Sequence, residues 1–172
     1  MNLNLIVNSD TMSEINDYLT LKKPPGLILK GVGGLGKAEV AKFVSAALLG
    51  CSEGDLNNNP DYFHTDPSKS LKVDDINSLL DMANRSSVGT RKVIVIYNAH
   101  TMTIQTQNRL LKLLEDRHET NILIIHTQKD VLIDTISSRC YTIHFHPLTD
   151  AKMKDYLENK GIEVKYHDFL CF

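Results

Sequence analysis

Short runs of apolar residues alternate along the chain with longer segments in which apolar residues recur every three or four positions. Short apolar runs are typical of strands buried in a parallel sheet, and the longer spacing is typical of helices with one buried face. Their alternation predicts an α/β fold in which helices cover both faces of a parallel sheet. The five predicted strands are Leu27–Lys30, Tyr62–Thr65, Val93–Tyr97, Ile122–His126 and Tyr141–Phe145.

Three helices are predicted between these strands, because the apolar residues of each segment fall on one helical face. The polar segment Gly50–Pro60, which contains three consecutive asparagines, is predicted to be a surface loop. The apolar faces comprise Val40, Phe43, Val44, Ala47 and Leu48 in the first helix, Ile76, Leu79, Leu80 and Ala83 in the second, and Leu110, Leu113 and Leu114 in the third, about Thr103–Glu115.

The character of the sequence changes after Pro147. Asp150 can cap a short amphipathic helix that continues to Asn159, and a glycine two positions later can end it. We therefore predict a domain boundary near Pro147. Residues 1–147 form an α/β domain, and residues 148–172 begin a helical domain that the chain does not complete.

The composition excludes several classes of protein. With 42% hydrophobic and 23% charged residues, the chain is typical of soluble globular proteins. Its formal net charge of −2 offers no basic surface for wrapping nucleic acid. The apolar runs are far shorter than the roughly 20 residues that span a bilayer, and Met1–Asp10 lacks the features of a signal peptide, so a cytoplasmic protein with no membrane partner is expected. Cys51, Cys140 and Cys171 are too scattered for a zinc site or a disulfide framework.

Two groups of residues suggest functions that the sequence does not favour. His144 and His146 alternate along a predicted strand and so face the same side, but no third ligand accompanies them and no metal site is predicted. Five basic residues around the second helix and third strand are separated by acidic or neutral residues, which favours a solvated face over a DNA-binding patch. These residues are Lys69, Lys72, Arg85, Arg91 and Lys92.

The segment GVGGLGKA follows a predicted strand and opens a predicted helix, the context that the phosphate-loop pattern G-x-x-x-x-G-K-[ST] requires. Glycines let the backbone N–H groups turn toward phosphate oxygens, and the lysine and the helix N-terminus add positive charge. Ala38 replaces the Ser or Thr whose hydroxyl binds magnesium. No cofactor is required by this pattern, but ATP or ADP can bind without strong magnesium dependence. The predicted phosphate-binding residues are Gly31, Gly33, Gly34, Leu35, Gly36, Lys37 and Ala38.

A second departure lies at the end of the third predicted strand. Hydrolysis normally needs an Asp that orients magnesium and a Glu that activates water at this place. The chain has Tyr97 and Asn98 there, and neither is a carboxylate base. We therefore predict a site that does not hydrolyse ATP. Two alternatives are a glycine-rich turn used only for close packing and an active ATPase with Glu115 or Asp116 as a repositioned acid.

Several ordered motifs resemble the AAA+ module of bacterial clamp-loader subunits. Asn108–Glu115, with the sequence NRLLKLLE, resembles the family's N-A-L-L-K-T-L-E-E-P segment, and Ser138–Cys140 matches its S-R-C motif. Asn59–Tyr62 resembles H-P-D-[FY], and Phe145–Leu148 resembles the passage into the family's lid domain. The resemblance covers about residues 26–161. Degenerate hydrolysis positions together with an intact S-R-C motif point to the delta-prime type of subunit.

This resemblance implies a P-loop NTPase (AAA+) three-layer sandwich with a five-stranded parallel sheet, followed by the start of a small helical lid. It implies that Arg139 is an arginine finger for a neighbouring subunit and that Thr127 or Gln128 occupies the position of the phosphate sensor. The implied partners are other clamp-loader subunits and, within the complex, the sliding clamp and primed DNA. The family's cysteine-rich zinc insertion is missing from the sequence, so no zinc is expected. The family's collar domain is missing as well.

Two alternatives remain beside this implied role. Arg139 can instead begin a strand and pair with a local carboxylate. The chain can also act alone as a nucleotide-sensing or DNA-binding module.

Overall fold

The computed structural model describes residues 8–115, 120–127 and 131–149. All five predicted strands are present, and each begins and ends within two residues of its predicted bounds. The strands are β1 (Gly26–Lys30), β2 (Tyr62–His64), β3 (Lys92–Ile96), β4 (Thr120–His126) and β5 (Cys140–His144). They form one parallel sheet in the order β2-β3-β4-β1-β5, which confirms the predicted five-stranded parallel sheet.

Helices cover both faces of this sheet. The three predicted helices are present, and two further helices, α1 and α5, were not predicted. The helices are α1 (Ser9–Thr20), α2 (Lys37–Leu49), α3 (Val73–Ala83), α4 (Ile104–Glu115) and α5 (Asp134–Ser137). None of these described helices is long and apolar enough to span a bilayer.

The alternation of side chains along the strands divides the core into two layers. On β1, Leu27 and Leu29 pack with α1 and α2, whereas Ile28 packs with α3 and α4 on the opposite face. On β3, Val93 packs on the same face as α1 and α2, and Ile94 packs on the face of α3 and α4. Because both faces of every central strand are buried, the strands are continuously apolar. The result is the predicted three-layer sandwich.

More residues of α2 are buried than the five that form its predicted apolar face. It packs against three strands, α1 and a 3₁₀ helix, so Ala41 and Ser45 are also buried, whereas Ala47 in the last turn is exposed. The 3₁₀ helix, Glu53–Asn58, lies in the segment predicted to be a surface loop. That prediction was incomplete, because Leu56 is buried and fastens the segment to the core.

The predicted solvated basic face is wrong for Lys92, which is only 3% exposed. Its ammonium donates to the carbonyl oxygens of Met82 (2.9 Å) and Ala83 (3.0 Å) and to that of Arg85. The carbonyls of Met82 and Ala83 lie in the last turn of α3 and that of Arg85 follows it, so the buried cation complements the negative end of the helix dipole. Lys69 is exposed as predicted and pairs with Asp66.

The predicted lid helix from Asp150 to Asn159 lies outside the described residues. The predicted boundary near Pro147 therefore stays a prediction, although the chain can be followed to Thr149.

Candidate functional site

The carboxyl ends of four strands meet at one edge of the sheet, where they form a cleft of about 580 Å³. The register places Lys30, at the end of β1, opposite both His126 of β4 and His144 of β5. The segments that follow these strands therefore leave the sheet side by side, and the segment after β3 joins them. Ligands of doubly wound parallel sheets bind outside the carboxyl ends of the strands, so this cleft is the candidate site.

The phosphate loop between β1 and α2 depends on its glycines. Gly34 and Gly36 have φ values of +80° and +78°, a conformation that side chains rarely adopt. At Gly31, with φ of +154°, a Cβ would lie 2.6 Å from the carbonyl oxygen of Phe145. A Cβ on Gly33 or Gly34 would meet nothing within 4 Å. The loop is therefore open on its outer side, where a phosphate can approach the backbone and the N-terminus of α2.

Lys37 is the first residue of α2 and is only 5% exposed. Its ammonium donates to the carbonyl oxygen of Val32 within the same loop. Burial lowers its pKa, because the surrounding protein solvates the charge less well than water does. Ala38 and Leu35 line the cleft beside it. The loop thus holds a cation next to an open turn, but it offers no hydroxyl at position 38 for a magnesium ion.

Tyr97, at the predicted position of the magnesium-orienting carboxylate, directly follows β3. It is buried, and its backbone N–H donates to Thr65 Oγ1 at 2.8 Å. Burial raises the pKa of Tyr97, and the charge of Glu39 raises it further, whereas a hydrogen bond from Tyr62 lowers it. A phenol with a raised pKa keeps its proton at neutral pH. Tyr97 is therefore an uncharged, packed side chain that supplies neither a metal ligand nor a base.

Asn98 also has a structural task. Its amide nitrogen donates to the carbonyl oxygens of Pro67 at 2.7 Å and Lys69 at 3.1 Å. Its φ of +54° is left-handed, which asparagine tolerates better than most residues. The amide thus fastens the segment after β2 to the end of β3, and its geometry explains why an asparagine stands here.

Thr127, one of the two predicted phosphate-sensor residues, follows β4 and lines the cleft. Its hydroxyl oxygen lies 3.2 Å from Nδ1 of His100, which belongs to a 3₁₀ helix, Ala99–Thr101. This contact fixes the side chain at the rear of the cleft. Gln128, the other predicted sensor, lies outside the described residues.

Four polar residues that line the cleft were not predicted as part of this site from the sequence. They are Asn8 and Thr11 at the start of α1, Glu39 in the first turn of α2, and His146 after β5. A sequence signal exists for Glu39, because it directly follows the degenerate position of the phosphate loop. No comparable signal exists for the others, which the fold brings in from both ends of the described chain.

Arg139 is not part of this cleft. It precedes β5, whose five residues place about 16 Å between the two edges of the sheet. Its Nη2 lies 3.2 Å from Oε1 of Glu115, and its Nη1 donates to the carbonyl oxygen of Thr135 at 2.8 Å. Arg139 therefore has a local carboxylate partner, and its role toward another subunit stays a prediction. Glu115 does not line the cleft, so it is not a base there, and Asp116 lies outside the described residues.

The described residues contain no group of three or more His, Cys, Asp or Glu side chains that could hold a metal ion. His144 and His146 stack with their ring centroids 6.4 Å apart and 18° between the ring planes. Within the cleft, Glu39 is the acidic side chain that the structure describes among the lining residues. A magnesium ion would therefore depend mainly on a nucleotide's own phosphates and on water.

Solved structures that superpose on this chain are AAA+ P-loop proteins. A DNA polymerase III gamma subunit-related protein of Thermotoga maritima superposes with a TM-score of 0.64 at 22% identity, over 88% of this chain and 53% of that one. A RuvB protein of the same organism gives a TM-score of 0.68 at 16% identity, over 88% of this chain and 50% of that one. At these identities the likeness establishes the AAA+ P-loop fold alone.

Sequence comparison gives the family. DNA polymerase III subunit delta′ of Pseudomonas aeruginosa is 31% identical over 66% of this chain and 40% of its own length. The delta′ subunit of Bacillus subtilis is 29% identical over 78% of this chain and 46% of its own. The chain thus spans less than half the length of these relatives. The family profile described as DNA polymerase III, delta subunit, matches residues 15–149. This chain therefore belongs to the DNA polymerase III delta subunit family and is similar to the N-terminal domain of its delta-prime members.

Proposed function

We propose that the protein is a non-hydrolysing, delta-prime-like clamp-loader subunit of the DNA polymerase III holoenzyme, acting in the cytoplasm. It stabilises the loader ring and supplies Arg139 as an arginine finger to an ATP site on a neighbouring subunit. Its partners are the other loader subunits and, within the complex, the sliding clamp and primed DNA. It has no ATPase activity of its own.

The observation that carries this proposal is the separation of two features on opposite edges of the sheet. The carboxyl edge has a phosphate loop and an adjacent cation, but Ala38, Tyr97 and Asn98 stand where hydrolysis needs a hydroxyl and two carboxylates. Arg139 lies at the amino edge, a full strand length from the loop of its own chain. An arginine finger at that place can serve only the phosphate of another subunit.

The same geometry defines what the cleft does in this proposal. Backbone N–H groups of the loop, the N-terminus of α2 and Lys37 bind the phosphates of ATP or ADP. Because Ala38 offers no ligand, magnesium adds little to affinity. Bound nucleotide stabilises this domain within the ring without being consumed.

Removal of Arg139 from the assembled loader tests the proposal. The readout is ATP turnover stimulated by DNA and clamp, in a complex reconstituted with the full-length protein. Arg139→Ala should lower turnover, and Arg139→Lys should restore it only in part, because an ammonium lacks the planar fork of the guanidinium. Arginine fingers contribute about 10³ or more in rate where they have been isolated. The loss in a ring is smaller, because its other ATP sites keep their own groups.

Arg109→Ala is the matched control, since Arg109 is an exposed arginine on α4. It should leave turnover unchanged. Gel filtration must give the same assembly for all variants. If the Arg139→Ala complex assembles and hydrolyses ATP at the wild-type rate, Arg139 has no role in trans and the proposal is wrong.

A further inference from the structure

Two separate elements hold the guanidinium of Arg139. The carboxylate of Glu115, the last residue of α4, lies 3.2 Å from Nη2, and the carbonyl oxygen of Thr135 in α5 accepts from Nη1 at 2.8 Å. The two terminal nitrogens are therefore attached at two different places. A guanidinium attached at both terminal nitrogens has a defined plane as well as a defined position.

Hydrogen bonds also join the two elements that carry these anchors. Gln107 on α4 is only 2% exposed, and its amide nitrogen donates to the carbonyl oxygen of Val131 at 3.0 Å. Its amide oxygen accepts from the N–H of Ile133, the residue before α5, at 2.8 Å. A buried amide with both ends satisfied joins α4 to the start of α5. The helix that ends at Glu115 is thus hydrogen-bonded to the segment that leads into α5, which contains Thr135.

Stability does not account for the position of Glu115. A negative charge in the last turn of a helix is unfavourable, because the carbonyl end of the helix dipole is also negative. The pair with Arg139 is open to solvent, with 37% of the arginine side chain and 54% of the glutamate side chain exposed. Exposed ion pairs contribute little to folding. The main effect of the ion pair is therefore to orient the guanidinium of Arg139.

We propose that Glu115 is a positioning residue that holds the guanidinium of Arg139 ready for the neighbouring ATP site. This inference rests on the proposed role of Arg139 in trans. An unrestrained arginine samples many rotamers, and most of them point away from any one phosphate. Glu115 fixes one edge of the guanidinium, so the side chain of Arg139 has lost this rotamer freedom before the subunits meet. Less conformational entropy is then lost on binding, as in other pre-organised binding sites.

Chemical modification tests the contact without reference to ATP. The rate at which phenylglyoxal modifies Arg139 is followed by peptide mass spectrometry in the full-length protein. Glu115→Ala should accelerate modification about two- to fivefold, the range set by the strength of exposed ion pairs. Glu115→Gln should fall between, because its amide oxygen still accepts a hydrogen bond. Glu53→Ala, which removes an exposed glutamate elsewhere, should change nothing. An unchanged rate in Glu115→Ala would overturn the proposal.

A double-mutant cycle in the reconstituted complex tests the function of the contact. Glu115→Ala should lower the kcat of ATP turnover about two- to fivefold with little change in KM, and it should cause no further loss when Arg139 is already alanine. A faster complex, or a further loss in the Arg139→Ala background, would refute positioning. If Arg139→Ala itself has no effect, the role in trans fails, and the modification rates still decide whether Glu115 holds the guanidinium.

Discussion

The two edges of the sheet differ in which part of the chain makes their polar contacts. At the carboxyl edge the glycine-rich loop before α2 exposes its backbone to the cleft, and Asn98 and Thr127 add side-chain contacts. At the amino edge, buried or paired side chains make the polar contacts. Asp61, which is 4% exposed, accepts from the N–H groups of Val88 at 3.0 Å and Gly89 at 2.6 Å. Lys92 caps α3, and Arg139 pairs with Glu115.

Under the proposed function, this difference accounts for a nucleotide fold that keeps its shape without hydrolysing ATP. Phosphate binding by backbone N–H groups depends on the loop's conformation, so it survives the replacement of neighbouring side chains. Hydrolysis depends on particular carboxylates and a hydroxyl, and the chain has Ala38, Tyr97 and Asn98 at the positions predicted to supply them. The amino edge instead holds Arg139 against Glu115, away from the chain's own phosphate loop.

The largest expected effect comes from placing a methyl group at either end of β1. Gly31→Ala should destabilise the fold by about 3 kcal/mol, because its Cβ would strike a backbone carbonyl and its φ is unfavourable. Gly26→Ala should cost only about 1–2 kcal/mol, since its Cβ meets the side-chain atoms Cys140 Sγ at 2.8 Å and Leu114 Cδ2 at 2.9 Å, which can move. Urea denaturation measures both free energies of unfolding.

Gly33→Ala is the control for this pair, because a Cβ there meets nothing within 4 Å. Its free energy of unfolding should stay near that of the wild type. Equal losses for Gly26→Ala and Gly31→Ala would contradict the view that only the carboxyl edge depends on its backbone conformation.

A smaller effect is expected from the cation of the loop. Lys37→Met keeps the buried aliphatic part and removes the charge, so affinity for ADP should fall about 10- to 100-fold, as expected for a charge-assisted contact. The wild-type affinity should be about the same with and without magnesium. Isothermal titration calorimetry measures both quantities. Lys42→Met, which removes an exposed lysine from the same helix, is the control.

Two outcomes would contradict this account of the cleft. Strong enhancement of ADP binding by magnesium would mean that another group, with Glu39 the nearest candidate, replaces the missing hydroxyl. Unchanged affinity in Lys37→Met would mean that nucleotide, if it binds, does not use the phosphate loop.

The strands and the phosphate loop could be predicted from the sequence because their signals are local. An apolar run such as Ile122–His126 has no alternative to burial, and four glycines before Lys37 define a turn. The helix α1 escaped prediction because its buried positions are Thr11, Ile15 and Tyr18, and a threonine does not extend an apolar pattern. With only four residues, α5 is shorter than any periodic signal.

The polar contacts of the amino edge could not be predicted, because each joins residues far apart in the sequence. Asp61 meets the loop around Val88 only after β2 and β3 have paired. Lys92 looked like one of several surface cations, and its burial depends on where α3 ends. The motif around Arg139 was visible, but its partner Glu115 lies 24 positions earlier, and only the packing of α4 beside α5 brings the two together.

The last substitution is expected to have no effect on ATP hydrolysis. Ala38→Thr restores the hydroxyl that would bind magnesium, but the end of β3 still provides a protonated phenol at Tyr97 and an amide at Asn98 that is already engaged. Neither can orient the ion or activate water. The variant should therefore hydrolyse ATP no faster than the wild-type protein, even if magnesium now strengthens ADP binding.

A coupled ATPase assay on Ala38→Thr, beside calorimetry with and without magnesium, separates the two defects. Stronger binding with magnesium but no turnover is the expected pair of results, because binding the ion and activating water depend on different residues. A triple variant with Tyr97→Asp and Asn98→Glu added extends the test, and urea denaturation must first confirm that it folds, since Tyr97 is packed in the core. Turnover clearly above background in Ala38→Thr alone would mean that the cleft already contains a working base. The contrast between an inactive carboxyl edge and a functional amino edge would then be wrong.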